Sequence, residues 1–178
     1  VETTKINTNR NAGNAVTEGT YLVLKESEEE EVNMDKKVTY PNAPLKLNVW
    51  EGTCEMSLSP EGKLTIKTGT GDWWGGALEI QSKGENLSNC YKGRLFFDIK
   101  GDTSSSFQIG FQTGIFSNGN QVNNGVTFGY NGSCKVSDNW KTYSIPITEL
   151  NKKGDLDNVT AILYLLGKEN FDGKTISL

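Results

Sequence analysis

Hydrophobic and polar residues alternate with a period of two over much of this chain, and the spacing of an amphipathic helix is almost absent. In the segment RLFFDIK, Leu95, Phe97 and Ile99 share one face of a predicted strand, and the intervening residues share the other. In FQIGFQTG, the aromatic and aliphatic positions alternate with Gln108 and Gln112 in the same way. Because successive side chains of a strand point to opposite faces, the pattern predicts strands that bury one face.

Turn-forming residues divide the rest of the chain into further short strands. The predicted strands include KLTIKT, ALEIQS, VTFGYN, KTYSIPI and VTAILYLL. Between them lie segments rich in Gly, Asn, Asp and Ser, such as SPEG, SKGEN, KGDTSS and SNGNQVNNG. Many short strands at this spacing predict an all-β fold, an antiparallel sandwich or barrel. The length of 178 residues suits one domain with one core.

The first 45 residues have a different composition. A polar, Asn-rich stretch precedes TYLVLK, which could form an edge strand, and the acidic run ESEEEE follows at residues 26–31. Like charges so close together should stay in water. We therefore predict that residues 1–45 form an N-terminal strand and an acidic surface loop packed on the same domain, which residues 46–178 complete.

Charge and composition exclude several classes of function. The net charge is −4 and Lys and Arg are scattered, so no basic stripe for nucleic acid is visible. No apolar run approaches a membrane span, and no signal peptide is visible. The chain starts at Val1 without a Met, so we expect a processed precursor or a trimmed chain. These features predict a neutral or weakly charged partner, neither nucleic acid nor membrane.

The three cysteines do not predict a metal site. No CxxC occurs and the chain has no His, so a zinc site is not expected. Cys54 shares its face with Met56 and is interpreted as a buried hydrophobic residue. Cys90 and Cys134 lie at apparent strand edges or turns; they could form a disulfide or remain thiols.

The carboxylates do not form a recognisable catalytic pair. Glycosidases need two carboxylates facing each other across a cleft, and a retaining sandwich enzyme commonly takes both from one strand. Here Asp98 is the one acid on its strand face, and Glu79 has no acidic partner two or four residues away. Without His, triads that use His are excluded as well. We therefore expect a protein that is not an enzyme.

Aromatic and amide side chains suggest carbohydrate binding instead. A sugar ring has an apolar face of C–H groups, which aromatic rings can cover, and a fringe of hydroxyls, which amides and carboxylates can bind. Trp50, Trp73 and Trp74 could provide the aromatic surface. Gln108 and Gln112 project from one strand face about 13–14 Å apart, at a rise of about 3.4 Å per residue.

The adjacent tryptophans in GDWWGGALEI cannot both be core residues of a regular strand, since their side chains point to opposite faces. Plain alternation with Leu78 and Ile80 directs Trp74 inward and Trp73 outward. A bulge at Gly75–Gly76 would reverse this arrangement. We predict that Trp74 contacts the ligand.

Four segments resemble the β-jelly-roll carbohydrate-binding modules attached to plant-cell-wall and β-glucan hydrolases. They are NVWEGTCEMSLSPEGKLTIKTGTGDWWGGALEI, GRLFFDIKGD, SFQIGFQTG and NWKTYSIPITEL. The resemblance covers residues 47–178 and is closest to the family 29 type, which binds cellulose and mannan, and to related modules appended to β-glucanases. It implies a jelly-roll sandwich that holds a β-glucan or a related plant or algal polysaccharide on its concave sheet.

The resemblance also assigns roles to single residues. Trp50 and Trp74 match sugar-stacking aromatics, and Gln108 and Gln112 match the polar pair on the sugar-contacting strand, with Trp73 beside the stacking surface and Glu79 as a further candidate. The family 29 type has a second Trp where this chain has Gly52. The resemblance implies no cofactor and leaves a structural calcium ion open. It implies a monomeric module of a larger secreted or cell-surface protein, associated with a glycoside hydrolase.

Two other functions stay open at this point. A structural or adhesive cell-surface sandwich would occlude both Trp73 and Trp74 and have no groove above Gln108 and Gln112. A carboxylate hydrolase would place two acids within about 5–10 Å of each other in a cleft.

Overall fold

The computed structural model describes residues 2–7, 20–25, 38–39, 45–59, 63–80, 84–101, 106–128, 136–168 and 173–178. Thirteen strands lie within these ranges. They are β1 (Glu2–Asn7), β2 (Thr20–Lys25), β3 (Val38–Thr39), β4 (Leu45–Val49), β5 (Cys54–Leu58), β6 (Leu64–Thr68), β7 (Trp74–Ile80), β8 (Arg94–Gly101), β9 (Phe107–Thr113), β10 (Val122–Phe128), β11 (Lys141–Pro146), β12 (Val159–Gly167) and β13 (Thr175–Ser177). One short helix, α1 (Ile147–Leu150), and two 3₁₀ turns (Ser88–Cys90 and Phe116–Asn118) connect some of them.

The strands form two sheets packed as a sandwich, which confirms the predicted all-β class. One sheet has eight strands, in the order β3-β2-β1-β8-β13-β6-β5, with β11 pairing with β8. The other has five strands in the order β10-β9-β12-β7-β4, and all of its described pairs are antiparallel. Strand neighbours far apart in sequence, such as β4 beside β7 and β9 beside β12, produce the jelly-roll arrangement rather than a simple meander.

The N-terminal segment contributes strands to the eight-stranded sheet. TYLVLK forms β2, which pairs with β1, and β1 in turn pairs with β8 through Leu95–Phe97. The acidic run at residues 26–31 lies outside the described residues. No helix in the described part of the chain has both the length and the apolar character needed to span a bilayer.

The core lies between the two sheets and uses the face that alternation predicted. Leu95, Phe97 and Ile99 of β8 are buried against the inward residues of β9. Phe97 packs edge-on against Phe128, with ring centroids 5.6 Å apart. Large aromatic side chains bury roughly 150–250 Å² each and dominate such a core.

Candidate functional site

The face of the five-stranded sheet that points away from the core carries a regular grid of side chains. Cross-strand pairing places its residues in three rows. The Glu79 row contains Lys46, Glu79, Ala161, Gln112 and Asn123; the Tyr164 row contains Asn48, Ala77, Tyr164, Gly110 and Gly125; the Gln108 row contains Gly75, Leu166, Gln108 and Thr127. Small residues occupy much of the middle of this grid.

Two adjoining hollows form one continuous groove over this face, which we call the outer groove. The first has a volume of about 480 Å³ and the second about 390 Å³, and they share four lining residues. The shared residues are Glu79, Gln112, Phe116 and Gln121. Volumes of this order are typical of sites that bind small organic ligands.

Trp50 stands at one corner of the outer groove and is held there by a tight turn. Its N–H donates to the Gly75 carbonyl at 3.0 Å, and its own carbonyl accepts from the N–H of Thr53 at 3.1 Å and the hydroxyl of Thr53 at 2.7 Å. Glu51 and Gly52, between them, both have positive φ values of 51° and 65°. A left-handed backbone favours glycine, which accounts for Gly52 in this turn.

Trp73 and Trp74 lie on opposite sides of the sheet, and the prediction that Trp74 contacts the ligand is wrong. Trp74 is 1 % exposed and packs in the core against Phe107, with ring centroids 5.9 Å apart. Strand β7 keeps regular pairing with β12 through Gly75 and Gly76, so the bulge that would have turned Trp74 outward does not form. Trp73 is half-buried and lines the outer groove beside Trp50. Trp73 therefore replaces Trp74 as the candidate stacking residue.

Gln108 and Gln112 share the outer face, as alternation predicted, but only Gln112 lines the outer groove. Gln112 lies at the bottom of the outer groove, only 2 % exposed, and its Nε2 donates to Oδ1 of Asn123 at 2.7 Å. Gln108 does not line either hollow, and its Oε1 accepts a hydrogen bond from the Tyr164 hydroxyl at 3.2 Å. Gln112 thus orients the Asn123 amide in the groove. Gln108 instead accepts a hydrogen bond from the tyrosine on which Trp50 stacks.

Glu79, a further candidate from the sequence, lines both hollows. Its Oε1 accepts a hydrogen bond from Nδ2 of Asn48 at 2.7 Å. Asn48 is a groove residue that the sequence reasoning missed, although it shares strand parity with Trp50. The structure adds further lining residues on the first hollow: Glu51, Phe116, Gln121 and Asn123. Phe116 and Gln121 come from a turn, where no periodic signal exists.

The Tyr164 side chain lies flat across the sheet, and the Trp50 ring packs against it. Trp50 stacks on Tyr164 with centroids 6.2 Å apart and planes 24° apart. A side chain at Gly125 would overlap the Tyr164 hydroxyl, and a side chain at Gly75 would overlap the Trp50 ring. Burial raises the pKa of Tyr164 to about 12, so the phenol stays protonated and donates to Gln108. Glycines at these positions therefore allow two aromatic rings to be layered on the sheet.

A family model for carbohydrate binding domain 30 (CBM30) matches residues 4–178, nearly the whole chain. The chain belongs to this family. The predicted class, a jelly-roll carbohydrate-binding module, is confirmed; the family is number 30, whereas the resemblance in sequence pointed first to the family 29 type. No curated protein matches the chain.

Solved structures of similar modules share the fold. A family 30 carbohydrate-binding module aligns with a TM-score of 0.56 and 22 % identity over 74 % of this chain and 86 % of its own. The family 30 module of a cellulosomal cellulase of Clostridium thermocellum aligns with a TM-score of 0.51 and 24 % identity, over 74 % and 81 % of the two chains. A variant of a family 29 module aligns with a TM-score of 0.48 and 17 % identity, over 86 % and 82 %.

Membership of carbohydrate-binding family 30 supports a non-catalytic binding module rather than the carboxylate hydrolase considered above. The two acidic residues that line the outer groove are Glu51 and Glu79. The adhesive alternative expected Trp73 and Trp74 both to be occluded, with no groove above Gln108 and Gln112. Trp74 is occluded, but Trp73 is partly exposed and lines a groove that also includes Gln112.

The sequence left a structural calcium ion and a disulfide between Cys90 and Cys134 open. In the part of the chain that the structure describes, no group of three or more Cys, Asp or Glu side chains is placed to hold a metal ion. Cys54 is buried in the core, and burial raises the pKa of its thiol. Cys134, the proposed partner of Cys90, lies outside the described residues.

The layered rings predict a specific coupling between Gly125 and Tyr164. We expect Gly125→Ala to lower the free energy of unfolding by about 1–3 kcal/mol, because the new methyl group overlaps the phenol. In a Tyr164→Phe background the hydroxyl is missing, so the same substitution should destabilise less. Urea unfolding of the wild type, both single variants and the double variant measures the coupling. An equal effect of Gly125→Ala in both backgrounds would contradict this packing.

Proposed function

We propose that this module binds a neutral β-glucan, or a related plant or algal polysaccharide, in the outer groove without cleaving it. Trp50 and Trp73 stack on the apolar faces of sugar rings, and Glu79, Asn48, Asn123 and Gln121 bind hydroxyl groups. The observation that carries the proposal is that two half-buried tryptophans and a row of amide and carboxylate groups line one groove.

The polar groups of the outer groove are suited to hydroxyls because they are oriented before a ligand arrives. The Asn48–Glu79 and Gln112–Asn123 hydrogen bonds, both 2.7 Å long, fix the direction in which the remaining lone pairs and N–H groups point. Preorganised groups lose less conformational entropy on binding. An amide offers a donor and an acceptor together, which matches neighbouring hydroxyls on a sugar ring.

Charge favours a neutral glycan over an anionic one. The described residues that line the outer groove include Glu51 and Glu79 but no Lys or Arg. A carboxylated or sulfated chain would bring negative charges close to these carboxylates, and like charges repel at short range. We therefore infer that uronic-acid and sulfated polysaccharides bind less well than neutral glucans.

The proposed function also indicates the kind of protein in which this module works. The similar family 30 module of the Clostridium thermocellum cellulase suggests that such modules work beside catalytic domains. We infer that this module is a monomeric part of a larger secreted or cell-surface protein and that it keeps a glycoside hydrolase close to its polysaccharide.

A glycan panel tests the proposal. Calorimetry with cellohexaose, laminarin, lichenan, xyloglucan and glucomannan should give a Kd of about 10–1000 µM for at least one of them, which corresponds to about 4–7 kcal/mol. Hydroxyethylcellulose and carboxymethylcellulose form a matched neutral and anionic pair with one backbone, and the anionic polymer should bind more weakly at low salt. A reducing-sugar assay should detect no cleavage. Binding to none of these glycans would refute the proposal.

A further inference from the structure

Exposed hydrophobic side chains concentrate at the turn between β9 and β10. The described part of the chain has five exposed large hydrophobic residues: Leu58, Ile115, Phe116, Val122 and Trp140. Three of them fall within residues 115–122. Phe116 is 82 % exposed, more than any of the others. Of these three, Ile115 and Phe116 line the outer groove, and neighbouring exposed apolar residues at the rim of a groove mark a binding surface.

The turn that carries Phe116 is held by several hydrogen bonds. Oδ1 of Asn120 accepts from the N–H of Ile115 at 2.7 Å, and the N–H of Gly119 donates to the Phe116 carbonyl at 3.0 Å. Gly114 and Gly119 have φ values of 74° and 69°, which favour glycine. The Gly114 carbonyl also accepts from the Thr160 hydroxyl at 2.7 Å, which ties the turn to β12. The backbone therefore presents the Phe116 ring at a defined place.

Phe116 stands diagonally opposite Trp50. Trp50 follows the edge strand β4 at the level of the Gln108 row, whereas Phe116 follows β9 beyond the Glu79 row. Three strand spacings of about 4.8 Å and the four residues of about 3.4 Å between the Gln108 row and the Glu79 row give a diagonal of about 20 Å between backbone positions at these two corners. Both residues line the first hollow, and Phe116 also lines the second. A single sugar ring does not bridge this distance.

We propose that Phe116 is a distal stacking residue and that the outer groove holds several consecutive sugars of one chain along this diagonal. The proposal rests on the proposed function and adds the direction and length of the bound segment. Trp50 and Trp73 hold one end of the segment, Glu79 and Gln112 lie beneath its middle, and Phe116 covers a ring at the other end. Gln121, which lines both hollows, binds hydroxyls of that distal ring.

Chain-length dependence tests the role of Phe116. The wild type should bind cellohexaose more tightly than cellotriose, because only the longer chain reaches both corners. Phe116→Ala should weaken cellohexaose binding about 3- to 10-fold, the range expected for one aromatic contact, and change cellotriose binding less than about twofold. Calorimetry for the hexaose and titration by nuclear magnetic resonance for the triose measure both. Phe116→Tyr should retain the affinity of the wild type.

Trp140→Ala is the matched control, because Trp140 is another exposed aromatic residue but does not line either hollow. It should leave both affinities unchanged. If Trp50→Ala weakens binding and Phe116→Ala does not, or if both oligosaccharides lose affinity equally in Phe116→Ala, the distal contact is wrong while the proposed function stands. If the wild type binds no glucan, both the function and the distal contact are refuted.

Discussion

Trp74→Ala should lower the free energy of unfolding by about 3–5 kcal/mol, the range for truncating a large buried aromatic side chain. Trp74 lies between the sheets against Phe107, so its removal leaves a cavity where the two layers meet. Urea unfolding followed by circular dichroism measures the change. Because such a loss is a large fraction of the about 5–15 kcal/mol by which a domain is stable, Trp74→Phe provides a milder variant that should still fold with reduced stability.

Trp73→Ala is the natural comparison for Trp74, since the two residues are neighbours in sequence. Trp73 is half-buried at the groove, so its removal should change the stability by less than about 1 kcal/mol. Its effect should appear instead as weaker glucan binding. Equal stability of the Trp74 variants and the wild type, together with a selective loss of binding, would restore Trp74 as the ligand-contacting residue and overturn the packing described above.

Trp50→Ala should weaken glucan binding by about 10- to 100-fold, the range for a binding residue that contributes most of the contact energy. Trp50 supplies the ring nearest one corner of the groove and also covers Tyr164. Its loss removes the stacking surface and exposes the phenol beneath it. Isothermal calorimetry with cellohexaose measures the affinity, and a far-ultraviolet spectrum shows whether the sandwich remains folded.

Two further variants test whether the effect of Trp50→Ala comes from lost stacking. Trp50→Phe should keep part of the affinity, because a smaller ring still stacks. Trp140→Ala, on the other sheet, should have no effect on binding. A Trp50→Ala protein that is folded and binds cellohexaose as well as the wild type would contradict the proposed stacking role.

Most of the architecture was predictable because it follows from local alternation. In β8 and β9 every second residue is apolar, and a single-residue slip would place Phe97 or Ile109 in water, so the register is strongly determined. The positions of Gln112 and Glu79 on the outer face follow from the same parity. These predictions needed no knowledge of which strands are neighbours.

The errors arose where the answer depends on contacts between distant segments. Both orientations of GDWWGGALEI were consistent with the local sequence, and the regular pairing of β7 with β12, more than 80 residues later, decided between them. Gln108 has the same parity as Gln112 but is engaged by Tyr164 from β12. Phe116 lies in a turn, where side-chain direction has no period, so no pattern could assign it to the groove.

The sequence by itself determined the class of fold, the buried faces of β8 and β9 and the residue types that suit a neutral sugar, because these depend on interactions within a few residues and on composition. Only the tertiary structure decided which aromatic rings line the outer groove. That choice depends on the pairing of β4, β7, β12 and β9, which layers Trp50 on Tyr164 over glycines and places Phe116 at the far corner. A side chain's exposure is a property of its neighbours, and in this sandwich most of those neighbours are distant in sequence.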